Sequence, residues 1–197
     1  MTEIHMLSLE DASALKINQN EALRYLGVKE ADESTLEMLV QCEEEAKKYA
    51  EPRAVYFETP IDVKNSEIDF GFMRVKSKNL AKNLEGSSDA YVFVATIGLG
   101  VERQFKRISA TSQAKAMVYS ATCSALVESF CDYVNSELAR GEETKPRFSC
   151  GYGDFCLEHQ ADILKATEAT KRLGVYLTDS YMMVPVKTVT AIIGIRR

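Results

Sequence analysis

The sequence lacks the features that mark membrane, secreted and nucleic-acid-binding proteins. It has no hydrophobic run long enough to span a bilayer, and residues 1–5 do not resemble a secretory signal. Its 24 lysines and arginines are outnumbered by 29 aspartates and glutamates, and the net charge of −5 argues against the basic face that binds nucleic acids. We therefore expect a cytoplasmic protein whose partners include neither a membrane nor a nucleic acid.

Cysteine and histidine are scarce, with five and two residues respectively. An odd number of cysteines at irregular spacing is a poor disulfide framework, so free thiols are expected. Cys123 and Cys131 lie eight positions apart on a predicted helix and are typical of buried core thiols. Cys150, Cys156 and His159 are metal-ligating residue types, but no CxxC pair and no fourth ligand accompany them, so no metal site is predicted.

What the sequence does contain is typical of one globular domain, which we predict to span residues 1–197. Hydrophobic residues make up 46% of the chain and charged residues 27%, which is enough apolar material for a core. The first part, residues 1–85, is predicted to open with helices. It continues with a strand at 53–60 and a second, weaker strand at 68–75.

The second part, residues 86–197, contains the clearest periodic signals. A nearly continuous apolar run at 89–97 predicts a central strand, and the pattern at 112–139 predicts a long buried helix. Residues 188–195 predict a half-buried final strand. Because regular βαβ alternation is absent, this order of elements indicates an α+β fold with a largely antiparallel sheet packed by helices.

One carboxylate interrupts the apolar length of the long helix. Glu128 must be paired, lie at a cleft or have a shifted pKa, unless it is an ordinary glutamate at the solvent edge. The residues alone leave these alternatives open.

The stretch 146–154 combines residue types that suit a small-molecule site. Gly151 and Gly153 permit positive φ angles and a close approach of a ligand to the backbone. Arg147 offers paired donors for a carboxylate, and Tyr152 offers a flat apolar face with one polar tip. These are the parts from which a binding loop is built.

Three segments of the second part resemble the activation domain of cobalamin-dependent methionine synthase. Residues 146–152 are similar to that family's Arg-Pro-Ala-Pro-Gly-Tyr loop, 177–185 to its Leu-Thr-Glu-Ser-Phe-Ala-Met-x-Pro motif, and 188–195 to its closing strand. With looser matches upstream, the resemblance covers residues 86–197. It implies a curved single α+β domain with a mostly antiparallel sheet.

The resemblance also implies a function in reductive reactivation, as an accessory activation component. In that family a flavodoxin-type donor supplies an electron to oxidised cob(II)alamin, and S-adenosylmethionine, bound by the activation domain, supplies a methyl group. The expected ligands are therefore S-adenosylmethionine and, carried by the partner, cobalamin. The expected partners are a cobalamin-dependent methionine synthase or another corrinoid protein, on which this chain would act in trans, and a flavodoxin-like or other electron donor.

Matching positions imply roles for individual residues. Arg147 corresponds to the arginine that binds the carboxylate of the ligand, and Ser149 and Gly151 to positions whose backbone borders the ligand. Tyr152 corresponds to the tyrosine that lies toward the corrin, so it is implied both in binding and in the catalytic step. The family's acidic ligand contact falls at Ser124, and Glu128, one helical turn further on the same face, is expected to replace it.

Two alternatives remain beside this interpretation. A docking or structural subunit of a corrinoid methyltransferase system, without ligand binding, is favoured by the displaced acid. It is also favoured by a ligand-contacting tyrosine of the family that falls beyond the end of this sequence. An independent small-molecule methyltransferase is disfavoured, because no parallel βαβ series and no general base near the loop is predicted. A ligand titration separates the first two, and activity without any corrinoid protein would support the third.

Overall fold

In the computed structural model, which describes residues 3–196, an antiparallel sheet of five strands lies between two layers of helices. The strands are β1 (His5–Ser8), β2 (Arg53–Pro60), β3 (Asp62–Lys64), β4 (Glu67–Asp69), β5 (Arg74–Lys76), β6 (Asp89–Thr96), β7 (Glu143–Thr144), β8 (Tyr176–Leu177), β9 (Met183–Val184) and β10 (Thr188–Arg196). The α-helices are α1 (Gln19–Leu26), α2 (Glu33–Tyr49), α3 (Lys78–Asn83), α4 (Gly100–Ser109), α5 (Gln113–Leu138), α6 (Gln160–Ala166) and α7 (Ala169–Leu173). Short 3-10 turns precede α1 and α6.

The main sheet has the strand order β1-β2-β6-β10-β7, and every described pair in it is antiparallel. Strand β6 is apolar almost throughout because both of its faces are buried: Phe93 and Ala95 pack against α1, α2, α4 and α5, while Val92 and Val94 face α3, α6 and α7. The sheet is curled into a half-barrel. The predicted α+β class with a curved, mostly antiparallel sheet is confirmed.

The structure corrects three predictions about single elements. The chain opens with strand β1 and not with a helix, because four residues at a sheet edge carry too short a pattern to predict. The stretch 68–75 is two strands joined by a turn, since Gly71 has a φ of 78° and its N–H donates to the Asp69 side chain. Strand β10 is buried on both faces and not on one, because helices cover the sheet on either side.

The site is positioned by the 26-residue helix α5 and by the chain that follows it. Ser112 begins the helix by accepting a hydrogen bond from the backbone of Lys115 at 3.2 Å. After α5 the chain returns along the edge of β10, where the Lys145 N–H donates to the Gly194 carbonyl at 2.8 Å. This edge pairing brings the loop that starts at Pro146 alongside the middle of α5. None of the described helices is both long enough and apolar enough to cross a bilayer.

Candidate functional site

The loop at 146–155 is held to the sheet and folded tightly on itself. Phe148 exchanges two backbone hydrogen bonds with Ile192 of β10, at 2.8 and 2.9 Å. The Gly151 N–H donates to the Phe155 carbonyl at 2.7 Å, which closes the turn. Gly151 has a φ of 88°, and a Cβ there would lie 3.3 Å from Leu157 Cδ1. This position therefore requires glycine for the turn itself.

A carboxylate at the end of the loop ties it to a second element. Asp154 accepts hydrogen bonds from Ser77 Oγ at 2.5 Å, Lys78 N at 2.7 Å and Asn79 N at 3.1 Å. The Ser77 hydroxyl and these backbone N–H groups stabilise the charged form, so they lower the pKa of Asp154 below its ordinary value of 3.8. Sequence reasoning missed this anchor, because its donors lie about 75 positions upstream of the aspartate.

Between the loop, α5 and β10 lies a cavity of about 540 Å³, within the range typical of small-molecule sites. It is lined by Glu128, Asn135, Pro146, Arg147, Phe148, Ser149, Cys150, Tyr152, Gln160, Met183, Thr188, Val189 and Thr190. Four of the five predicted site residues, Glu128, Arg147, Ser149 and Tyr152, thus meet at one cavity. Gly151 is not among the lining residues, and its N–H is used within the turn.

The Arg147 side chain forms ion pairs with two carboxylates on α5. Its Nη2 atom lies 2.5 Å from Glu128 Oε2, and its Nη1 atom lies 2.5 Å from Asp132 Oδ1. Burial alone would lower the pKa of Arg147, but the hydrogen bonds to Asp132 and Glu128 outweigh it and raise the pKa. Of the alternatives open for Glu128, the structure therefore selects a paired carboxylate at a cleft. Asp132 was missed, although its i+4 spacing from Glu128 on a helix could have revealed it.

The cluster carries one positive and two negative charges. The Tyr25 hydroxyl of α1 also donates to Glu128 Oε1, at 3.3 Å. Burial, followed by the negative charge of Glu128, raises the pKa of Tyr25. One guanidinium beside two carboxylates is chemically suited to binding a zwitterion. The carboxylate of such a ligand would pair with Arg147, and its cationic group would pair with Glu128 and Asp132.

Tyr152 lies at the rim of the cavity and is 62% exposed. Its ring meets the edge of Phe148 with 6.3 Å between centroids. Phe148 in turn lies 6.4 Å from the buried Phe155 ring, so a row of aromatic side chains leads from the core to the rim. The exposed ring is available for a flat apolar partner.

Gln160 is a cavity residue that sequence reasoning did not single out. Its side chain is 6% exposed, and its Oε1 atom has no hydrogen-bond partner among the described residues. A buried amide oxygen without a partner is costly, so a ligand that donates a hydrogen bond in this cavity would remove that cost. Nothing in the local sequence distinguishes a glutamine that lines a cavity from any other glutamine near the start of a helix.

The cysteines near the loop differ in environment. Cys150 is buried, and burial raises the pKa of its thiol to about 12, whereas Cys156 is exposed. His159 Nδ1 lies 3.2 Å from Asp162 Oδ2. Within residues 3–196 no group of three or more histidine, cysteine, aspartate or glutamate side chains is arranged to hold a metal ion.

No protein-family model and no curated protein matches the sequence. Among solved structures, the chain is similar to the crystal structure of the MetH reactivation domain bound to AdoHcy, with a TM-score of 0.70 and 17% sequence identity. The match covers 98% of this chain and 78% of that one. The likeness shows the fold, and it confirms the activation-domain-like architecture that the sequence motifs indicated.

Proposed function

We propose that the chain binds S-adenosylmethionine in the cavity between α5 and the 146–155 loop. We further propose that it acts in trans in the reductive reactivation of a cobalamin-dependent methionine synthase or a related corrinoid protein. One observation carries the proposal: the Arg147–Glu128 pair lines a ligand-sized cavity in a fold shared with a domain solved with AdoHcy. All residues that line this cavity belong to 86–197, so we assign the ligand site to that part of the chain. We propose that residues 1–197 form a single domain and that the protein is cytoplasmic.

The amino-acid end of S-adenosylmethionine fits the charges of the cluster. Its carboxylate would replace Glu128 as a partner of the Arg147 guanidinium, which presents paired donors. Its ammonium and sulfonium groups would then lie near Glu128 and Asp132. The exchange keeps every charge paired, because each group that loses a protein partner gains a ligand partner.

The remaining predicted residues have narrower roles. Ser149 lines the cavity beside Arg147 and would border the ligand. Gly151 contributes through the shape of the turn, since its N–H is already bonded to Phe155. Tyr152 would face the corrin of the partner with its exposed ring, and we assign it the positioning of ligand and corrin in the methyl-transfer step.

The chemistry requires no acid or base from this chain. Cobalamin carried by the partner would supply the acceptor for one electron from a flavodoxin-like or other donor and for the methyl group of S-adenosylmethionine, and S-adenosylhomocysteine would remain in the cavity. The site holds the sulfonium, orients its methyl group outward past Tyr152 and keeps the two reactants together. Methylation would consume the reduced cobalamin as it forms, so an electron transfer that is unfavourable by itself could proceed.

The proposal is tested by a visible-absorbance time course of a corrinoid partner in the cob(II)alamin state with a reductant. Methylcobalamin is expected to form when this protein and S-adenosylmethionine are both present, and not when either is omitted. Equal rates with and without this protein, across several candidate corrinoid partners, would exclude the function.

A second candidate function is a docking subunit of a corrinoid methyltransferase system that binds no ligand. The observation in its favour is that two carboxylates of the protein itself, Glu128 and Asp132, pair with the Arg147 guanidinium. In that case the cluster would only fasten the loop to α5. If the chain is such a docking subunit, the wild-type protein and an Arg147 variant should accelerate reactivation equally.

A further inference from the structure

A second cavity, of about 250 Å³, lies between α4, α5 and the segment just before β10. It is lined by Val101, Glu102, Phe105, Lys106, Tyr119, Ser120, Cys123, Val186 and Lys187. None of these residues lines the first cavity. Its walls are mainly apolar, and it is small enough to select a compact ligand.

Lys187 brings an ammonium group into this cavity, and among residues 3–196 no carboxylate forms a direct ion pair with it. Its Nζ atom donates to Ser120 Oγ at 3.2 Å and to Ser124 Oγ at 2.7 Å, which leaves one of its three hydrogens unused. Burial lowers the pKa of Lys187, and the nearby negative charge of Glu102 only partly offsets this effect. The backbone is fixed as well, since the Ile97 N–H donates to the Lys187 carbonyl at 3.2 Å.

Tyr119 and Cys123 of α5 line the floor of the cavity. Tyr119 is fully buried, and its hydroxyl has no oxygen or nitrogen partner among the described residues. The thiol of Cys123 is the polar group beside it, and a thiol is a weak partner. Because the hydroxyl oxygen is closed off from solvent, Tyr119 and Cys123 form a weakly polar floor beneath the ammonium group of Lys187.

The charged side chains that line the cavity give it a net positive charge. Glu102 is occupied, because its Oε1 atom accepts a hydrogen bond from the Val186 N–H. Lys106 lies exposed at the mouth, so two ammonium groups and one carboxylate line the cavity. The apolar side chains of Val101 and Phe105 complete a surface that suits an uncharged hydrocarbon body.

We propose that this cavity is a binding site for a small monocarboxylic acid with an apolar body. The carboxylate takes the unused hydrogen of Lys187, while the body packs between Val101 and Phe105. The proposal is independent of S-adenosylmethionine binding, because the two cavities share no lining residue.

Benzoate is the probe, and benzyl alcohol is its uncharged counterpart. In amide-resolved NMR titrations we expect benzoate to saturate shifts at Phe105, Ser120 and Val186, with isotope-filtered NOEs to Val101 and Phe105. Benzyl alcohol should bind at least about tenfold more weakly, because it lacks the charge-assisted contact. Lys187→Met should lose about ten- to a hundredfold in benzoate affinity. Lys165→Met, which removes an exposed ammonium from α6 across the sheet, should lose nothing.

Arg147→Met must also retain benzoate binding, since Arg147 is a half-buried cation in the first cavity that a carboxylate probe could reach. If Lys187→Met does not fold, the comparison of benzoate with benzyl alcohol and the NOEs on the wild-type protein decide the question. Equal affinities for the two probes, NOEs to the first cavity, or no saturable shifts at millimolar benzoate would overturn the proposal.

Discussion

Arg147 and Glu128, 19 positions apart in the chain, form an ion pair of 2.5 Å, with side chains only 21% and 25% exposed. The pair joins the 146–155 loop to α5 and so shapes the cavity between them. A partly buried charge that loses its partner destabilises the protein, whereas a ligand that supplies a new partner gains binding free energy from that charge. The first two predictions follow from this relationship.

Replacement of Arg147 by methionine should reduce affinity for S-adenosylmethionine by roughly ten- to a hundredfold, the equivalent of about 1.5–3 kcal/mol for one charge-assisted contact. Calorimetric titration measures the loss. The matched control is Arg172→Met, which removes an arginine paired with Glu168 at 2.9 Å on α7. Unchanged affinity in the Arg147 variant would show that the loop arginine does not bind the ligand.

Replacement of Glu128 by glutamine should weaken S-adenosylmethionine binding while the fold remains intact, because the amide keeps the shape and removes the charge. Ser124→Ala should have little effect, since the Ser124 hydroxyl accepts from Lys187 and lies outside the first cavity. Titrations of both variants, with a thermal melt of each, give the ranking. The reverse order would contradict the replacement of the family's acid by Glu128.

Tyr152→Ala should separate binding from reactivation. The ring lies at the rim with 62% of the residue exposed, so its loss should leave most of the ligand affinity. Reactivation should fall strongly, because the flat face that would contact the corrin is gone. Tyr176→Ala, at a residue 51% exposed on β8, is the control in the absorbance time course. Loss of affinity in parallel with reactivation would place Tyr152 in ligand binding alone.

Asp154→Asn should make the protein less stable at neutral pH, and the difference from wild type should shrink in acid. The pKa of Asp154 is lowered in the folded state by Ser77 and the N–H groups of α3. A lowered pKa contributes stability that is fully present above the ordinary value of 3.8 and is lost as the pH falls through the folded value.

Thermal melts from pH 7 to pH 2 check this pH dependence. Asp179→Asn, at an exposed loop position, should follow the wild-type curve throughout. A constant difference between Asp154→Asn and wild type at every pH would contradict the assigned anchor.

Local signals predicted the elements that are long or strongly periodic. The apolar run of β6 and the cap and length of α5 are encoded within each segment, and so are the residue types at the glycine loop. Strand β1 was missed because it is short and at an edge. The pairing of 67–69 with 74–76 was missed because a short apolar pattern with one glycine is the same for one weak strand as for two strands joined by a turn.

The candidate site was predictable only in part, for a different reason. The motif identified Arg147, Ser149 and Tyr152, and the helix pattern identified Glu128, which all line the cavity. Contacts between distant segments leave no trace in local sequence, so the anchor at Asp154 and the Gln160 amide oxygen, which has no partner among residues 3–196, emerged only from the structure. The pairing of Arg147 with acids on α5 likewise depends on the return of the chain along β10.

The central claim, that this cavity binds S-adenosylmethionine, is tested most directly by calorimetric titration of the wild-type protein with that ligand. We predict saturable one-to-one binding, and at least about tenfold weaker binding of adenosine, which lacks the carboxylate and the cationic groups that Arg147 and Glu128 would pair. No saturable binding at millimolar S-adenosylmethionine would contradict the claim and leave a docking subunit as the function of the fold.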